Sequence, residues 1–395
     1  MAPLADRTLE LQLRARVRFG AGAIESLPEL VRQLDGRRAF IVCDPGVLRS
    51  GVIDRVREVL EDAALPVGLF TDVEANPGST SILGGSEALI AFGAPGTIVV
   101  PVGGGSSIDS AKVIALHAVN GGDVLALGYH RDDLAPAGPL IAVPTTAGTG
   151  AETNTYGVIT DESAGRKDYV GHPSVRPAWT ILDPALTVGL PAATTAATGI
   201  DAMTHSIESL LSANPNPYAE ALALQVIRTA GTWLPRAVAV GTDLEARSQL
   251  LVAAHLAGLG QASGTGVGLV HALGHGIGTR GRLAHGTALA TVLPEVLDFY
   301  AAERGLRDRE LALIGVALQA ASPTEDDASG AVAAVAALRT FLAALDQRPS
   351  LRSLGFDESS IDTLAADAMA DAAMRNAPRR PTVEQTRAIL ATVLG

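Results

Sequence analysis

Four short apolar runs in the first half of the chain, separated by helix-length segments, restrict the fold more than any other feature. Ala39-Phe40-Ile41-Val42-Cys43 leads into the turn Asp44-Pro45-Gly46, and Val67-Gly68-Leu69-Phe70 follows. Gly96-Thr97-Ile98-Val99-Val100-Pro101-Val102 runs into Gly103-Gly104-Gly105, and Leu140-Ile141-Ala142-Val143 into Pro144-Thr145-Thr146. Strands spaced this way build βαβ units and a parallel sheet, because a crossover segment must return the chain before a parallel neighbour can start. Such sheets take ligands at the carboxyl ends of their strands, where these glycine- and threonine-rich turns lie. From about Leu190 strand signals nearly vanish. Alanine-rich stretches with helical spacing take over, such as Pro217 to Leu234 and Leu244 to Leu259. The expected organisation is an α/β domain over residues 1–191 and an all-helical domain over residues 192–395, with a polar surface loop from Ser322 to Gly330.

Composition narrows the function classes. A chain of 395 residues with 47% hydrophobic residues has the length for two domains and the apolar content for a large core. The formal charge of −12 argues against nucleic acid or an anionic membrane as partner, since both call for basic patches. Cys43 is the single cysteine, so no intrachain disulfide forms and a reducing cytoplasm is the expected compartment. The segment Met1 to Arg7 lacks the apolar core of a secretory signal, and no apolar run approaches the roughly 20 residues a membrane helix needs. Among 30 basic residues only Lys112 and Lys167 are lysines. Coding bias toward arginine sets that background, yet an arginine cannot replace a compact ammonium where a point charge is needed.

Three turns carry the chemistry of the first half. Gly103-Gly104-Gly105-Ser106-Ser107 joins a strand to a helix expected over Asp109 to Ala118. Glycines admit a ligand close to the backbone and a helix N-terminus favours an anion, so a pyrophosphate suits the turn. It is not the GxGxxG fingerprint. Pro144-Thr145-Thr146-Ala147-Gly148-Thr149-Gly150-Ala151-Glu152 offers small residues and hydroxyls for ribose and phosphate. Asp44 ends the first strong strand, where a carboxylate accepts from a ribose 2′-hydroxyl and repels a 2′-phosphate. Each turn by itself also reads as ordinary loop structure.

The second half holds a cluster of another kind. Asp201 and His205 are four apart, as are His271 and His275, and His285 follows in Ala284-His285-Gly286. On a helix that spacing puts both side chains on one face, roughly 5–6 Å apart at Cβ. A carboxylate with imidazoles is a donor set for a divalent metal. His117, His130, His172 and His255 lie outside the pattern and are expected to serve surface or packing roles.

In order and spacing these segments resemble the iron-containing (group III) alcohol dehydrogenase family across most of the chain. Phe19 to Ala23, Asn76-Pro77, Gly103 to Lys112, Pro144 to Glu152, Gly199 to Glu208, His271 to Gly286 and Asn376-Ala377-Pro378-Arg379 all carry the likeness. The resemblance implies the fold that family shares with dehydroquinate synthase: an N-terminal α/β dinucleotide-binding domain and an all-α metal-binding domain. It implies metal ligands Asp201, His205, His271 and His285, holding Fe²⁺ or Zn²⁺, with His275 beside the site as a proton relay. It implies NAD(H) on Gly103, Gly104, Gly105, Ser106, Ser107, Thr145, Thr146 and Thr149. Lys167 is implied at the nicotinamide ribose, and Asp44 at the position tied to NAD preference. The implied activity is hydride transfer between nicotinamide and a small alcohol or aldehyde, in a cleft between the domains of a homodimer or higher homo-oligomer.

The chain departs from the family where substrate would bind. Thr279-Arg280-Gly281-Arg282 stands where many relatives carry aromatic residues, Tyr156 stands where other residues are common, and Gly260 to Gly266 is one residue longer than usual. Arg280 or Arg282 is therefore a candidate for an acidic substrate group, against the alternative of solvent-facing loop arginines. Competing functions on the same architecture are a maleylacetate reductase-like or glycerol dehydrogenase-like oxidoreductase and a dehydroquinate synthase-like lyase. The complete Asp-His-His-His set disfavours the first, and Asp201 with the scarcity of lysine disfavours the lyase.

Overall fold

The computed structural model describes residues 16–128, 131, 133–161 and 166–395. The N-terminal segment and His130 lie outside them. The chain forms two compact units, one running to Leu190 and one from Pro191 to Gly395.

The first unit carries strands β1 (Val17–Phe19), β2 (Arg38–Val42), β3 (Val67–Phe70), β4 (Thr97–Gly103), β5 (Ile141–Pro144), β6 (Tyr156–Asp161), β7 (Arg166–Gly171) and β8 (Trp179–Leu182). Its helices are α1 (Leu27–Gln33), α2 (Pro45–Arg49), α3 (Val52–Asp62), α4 (Ser79–Phe92) and α5 (Gly105–Asn120). Six strands form one parallel sheet in the order β1-β8-β5-β4-β2-β3, while β6 and β7 pair antiparallel as a separate hairpin. The four apolar runs are β2, β3, β4 and β5. Strand β1 leads into Phe19 to Ala23, where the family resemblance implies an opening strand and turn, whereas β8 and the hairpin are additions to the expected set. They are four to six residues long and β7 is mostly polar, so no long apolar run marks them.

The strands have the alternation of a sheet covered on both faces. Phe40 and Val42 enter one buried cluster with Val99 and Ile114, whereas Ala39, Ile41 and Cys43 enter another with Ile98 and Val100. Strand order fixes where a ligand can enter. From β2 the chain moves outward to the edge strand β3, then crosses back to β4 and proceeds the other way through β5 to β8. The direction of winding therefore reverses between β2 and β4. At such a switch point the connections leave opposite faces and open a crevice at the carboxyl ends.

The second unit is helical throughout its described length. It contains α6 (Ala192–Leu211), α7 (Pro217–Ala239), α8 (Leu244–Gly260), α9 (Leu269–Gly281), α10 (His285–Ala301), α11 (Asp308–Ala317), α12 (Asp327–Ala344), α13 (Ser360–Ala370) and α14 (Val383–Thr392). The expected loop Ser322 to Gly330 is shorter than expected. Asp326 accepts from the Ser329 amide at 3.0 Å and so starts α12 inside it. By length and composition α12 could span a membrane; its face bearing Ala331, Ala334, Val335, Leu338 and Leu342 is buried within the unit. The longer Gly260 to Gly266 segment is absorbed as a π-turn at Gln261–Thr265, where the Gly266 amide reaches back to the Gln261 carbonyl.

Candidate functional site

On the buried α6, Asp201, His205 and Glu208 follow at i, i+4 and i+7 and share one face. His271 and His275 lie one turn apart on α9, and His285 is the first residue of α10. Three ring nitrogens surround a single oxygen. The Nε2 atoms of His205, His271 and His285 lie 3.4, 3.7 and 3.6 Å from Asp201 Oδ1. Asp201, His271 and His285 form the tightest trio, with ligand atoms within 4.8 Å of one another, and His205 joins through Asp201. Gly286 permits this approach: a Cβ there would fall 1.8 Å from the Ala197 carbonyl oxygen, so only glycine lets α10 begin against α6.

Glu208 organises the centre from behind. Its Oε1 accepts from the amides of Val270 at 2.6 Å and His271 at 3.3 Å, two donors that the first turn of α9 leaves unsatisfied. Its Oε2 lies 2.5 Å from His271 Nδ1. A carboxylate can only accept, so Nδ1 carries a proton, and Nε2 is the nitrogen that can offer a lone pair to the cluster when the ring is neutral. Burial pushes the His271 imidazole down, but Glu208 and Asp201 outweigh it and raise the group to about 9. Burial likewise disfavours the Asp201 anion, yet the His205, His285 and His271 rings hold the carboxyl well below the usual carboxylate range.

The donor set fits a divalent cation. Asp201 Oδ1 and His271 Nε2 are buried with no hydrogen-bond partner. Orphaned buried polar atoms are costly, and a cation bridging them would satisfy both. Seating it would displace the proton that the carboxylates favour on His271. His275 stands beside the set, its ring stacked on His285 at 5.4 Å and edge-on to His271 at 5.7 Å. Its Nδ1 lies 2.8 Å from Asp371 Oδ2.

In the first unit, the turns after β2, β4 and β5 meet at the switch point. Asp44 Oδ1 accepts from the amides of Gly46 and Val47 and starts α2, while Oδ2 accepts from Ser107 Oγ at 3.2 Å. A Cβ on Gly103 would fall 2.3 Å from Ser107 Oγ, so a larger residue there would push α5 off its strand. Gly104 faces Thr146 and Gly105 faces Thr149, which brings the glycine and threonine segments together. The Thr145 amide donates to the Gly103 carbonyl, and Ser106 Oγ donates to the Ala75 carbonyl at 2.6 Å.

The two lysines separate. Lys112 is fully buried, and its Nζ donates to Ala151 O, Asn154 Oδ1 and Tyr156 O at 2.6, 2.6 and 2.7 Å. Burial pushes it down to about 8, with Asp109 and Glu152 opposing. It ties α5 to the segment after the threonine turn and is structural. Lys167 is half-buried on β7, opposite Thr160.

Tyr156 belongs to the first unit, and Arg280 and Arg282 to the second. Tyr156 packs edge-on to Tyr169 at 5.2 Å. Arg280 makes a bidentate pair with Asp367 at 2.5 and 3.1 Å, so its charge is already matched. Arg282 is exposed in a left-handed conformation at the end of α9. Of the remaining histidines, His117 bonds Ser86 and Gly122, His172 bonds Ser174, and His255 is buried.

Two residues of the centre escape reasoning from sequence: Glu208 and Asp371. Glu208 had a signal, since it extends the Asp201–His205 face by one turn. Asp371 had none, because it reaches His275 across 96 residues of chain.

Comparison with known proteins follows this geometry. The family model "Iron-containing alcohol dehydrogenase" matches residues 14–184, and "Fe-containing alcohol dehydrogenase family, C-terminal" matches residues 195–394. The probable alcohol dehydrogenase EutG of Escherichia coli is 33% identical over 93% of this chain and 90% of its own. The NAD-dependent methanol dehydrogenase of Bacillus methanolicus is 32% identical over 95% of this chain and 97% of its own. A crystal structure of 1,3-propanediol oxidoreductase superimposes with a TM-score of 0.92 at 31% identity, covering 98% of this chain and 100% of that one.

Proposed function

The chain belongs to the iron-containing alcohol dehydrogenase family, and from that premise we propose that it interconverts a small alcohol and its aldehyde with NAD(H) at a metal held by Asp201, His205, His271 and His285. Family membership makes it a metal-dependent oxidoreductase acting on CH–OH groups. One observation carries the assignment of the ligands: three Nε2 atoms within 3.4–3.7 Å of one buried carboxylate oxygen. When bound, Fe²⁺ or Zn²⁺ supplies Lewis-acid polarisation of the substrate oxygen, and the nicotinamide supplies or accepts the hydride.

The protein's own residues do the rest. Glu208 holds His271 with Nε2 toward the ligand set. His275 passes the proton that the substrate oxygen gains or loses, since one ring nitrogen can accept a proton while the other donates. The turn Gly103 to Ser107, at the N-terminus of α5, receives the pyrophosphate, and Thr145, Thr146 and Thr149 flank it. Lys167 donates to the nicotinamide ribose. Asp44 sits at the switch point, where its carboxylate accepts from a ribose 2′-hydroxyl and repels a 2′-phosphate; this supports NAD over NADP. The relative that depends on NAD, the methanol dehydrogenase, supports the same preference. Arg280 or Arg282 receives the acidic group of a substrate; Arg282 is exposed, whereas Arg280 also pairs with Asp367.

The test is oxidation of NADH and NADPH with a panel of neutral and acidic aldehydes, in wild type, Asp201→Ala and Asp44→Gly. Asp201→Ala is expected to lose bound metal and turnover while keeping its fold, and Asp44→Gly to gain turnover with NADPH. Normal turnover in Asp201→Ala would overturn the ligand set, and a wild-type preference for NADPH would overturn the role of Asp44.

A further inference from the structure

Asp371 ends α13 and does two things with its two oxygens. Oδ1 accepts from the Ala373 amide at 2.7 Å and caps the short 3-10 turn Ala372–Asn376. Oδ2 faces His275 Nδ1 at 2.8 Å. The pair is largely shielded, with side-chain exposures of 20% and 15%. Its placement is held one turn away by a second link between the same helices: Asp367 on α13 pairs with Arg280 on α9. Gly276 lets the two helices close, since a Cβ there would lie 3.2 Å from Asp367 Cβ. Two histidines one turn apart on α9 are thus each tied at Nδ1 by a carboxylate from another element, His271 by Glu208 and His275 by Asp371.

We propose that Asp371 is a positioning residue for the reaction, fixing His275 as the Nδ1–H tautomer so that Nε2 is the nitrogen able to accept a proton. This rests on the reading of His275 as the proton relay. An ionised carboxylate accepts and cannot donate, so the ring nitrogen facing it must carry hydrogen. Burial pushes the Asp371 carboxyl up, but the hydrogen bond from His275 and its proximity outweigh it and keep the group ionised. Because Oδ1 is committed to the Ala373 amide, Oδ2 is the Asp371 oxygen that faces the ring.

That division of labour defines the test. In Asp371→Asn the amide oxygen must stay on the Ala373 N–H, which needs an acceptor. The amide nitrogen then faces His275 Nδ1 and can only donate, so the ring must move its proton to Nε2. Asp371→Ser keeps a good cap and dictates neither tautomer. We expect kcat and kcat/KM of Asp371→Asn to fall together by about 10²–10⁴-fold, the range a misplaced acid–base group costs. Metal content and thermal stability should stay near wild type, and Asp371→Ser should lose less than Asp371→Asn. Nitrogen-15 spectra of the zinc-loaded protein, with the His275 signals assigned by their loss in His275→Gln, should show Nδ1 protonated in wild type and Nε2 protonated in Asp371→Asn. An unchanged tautomer in Asp371→Asn would overturn the proposal, as would a switched tautomer with undiminished kcat in an enzyme that His275→Gln disables. A fully active His275→Gln would instead strike the relay reading, leaving the spectra to judge Asp371.

Discussion

Replacing Glu208 by glutamine should weaken metal binding by about one to two orders of magnitude without unfolding the protein. The side chain is only 6% exposed and keeps its volume in this change. Its Oε1 serves the amides of Val270 and His271. Both need an acceptor, so the glutamine oxygen takes that place and its NH₂ group faces His271 Nδ1, 2.5 Å from the present oxygen. Nδ1 must then accept, which moves the proton to Nε2, the nitrogen that lies 3.7 Å from Asp201 Oδ1. To bind a cation the ring has to return its proton to Nδ1, where donor meets donor in a buried place. Leaving a buried donor unmatched costs about 1–3 kcal/mol, or roughly 5- to 150-fold in affinity. Loss of a carboxylate behind a metal-binding histidine costs about 10–100-fold, so the two estimates agree. The assay is titration of metal-stripped protein with Zn²⁺ against a chromophoric chelator, with circular-dichroism melts of the metal-free forms as control. A variant that binds Zn²⁺ as tightly as wild type, with the fold intact, would refute the argument that Glu208 sets the His271 tautomer.

Gly286→Ala would force a Cβ against the backbone of Ala197. Neither backbone can yield, so a loss of about 1–3 kcal/mol in a thermal melt is expected, together with substoichiometric metal as His285 shifts. Lys112→Met would strand three acceptors, one buried and two partly buried, and leave Asp109 without the cation 3.7 Å away. Urea unfolding should show a loss of about 3–5 kcal/mol, the cost of breaking a buried charge network from one side. Burial, with Asp44 and Asp72 adding to it, pushes the Cys43 thiol up from 9.0 to about 12. The folded state holds that proton more tightly than the unfolded one, so the contribution is complete below pH 9 and is lost between pH 9 and 12. Stability measured across that window should fall less steeply in Cys43→Ala, and the native thiol should resist alkylation at pH 8.

Much of the fold is legible because its strands β2, β4 and β5 are buried on both faces. A strand covered on both sides must be apolar at nearly every position, and such runs stand out. Strand β8, four residues between Ala178 and Asp183, and the partly exposed hairpin β6–β7 leave no comparable trace. The family resemblance covers most of the chain, and the family models match residues in both units. Within the centre, the pairs Asp201–His205 and His271–His275 can be read from spacing alone, since four residues make one turn. Gly286 reads only as part of a motif until the Ala197 carbonyl is seen beneath it.

Lys112 and Arg280 illustrate the opposite case. Each carries a conspicuous charge in a segment tied to function, and each is engaged by protein groups, Lys112 by two carbonyls and an amide oxygen, Arg280 by Asp367. Nothing in their neighbourhood along the chain distinguishes a cation held by its own protein from one held for a ligand.

The sequence by itself determined which side chains share a helix face and which strands are buried on both sides. Both properties follow from backbone geometry repeating within a few residues. Tertiary structure alone decided that α6, α9 and the start of α10 converge on one carboxylate oxygen. It also decided which carboxylate faces each histidine on α9. Those pairings join residues 63 and 96 positions apart. They depend on how helices pack, and it is packing, through Glu208 and Asp371, that selects the nitrogen each ring offers.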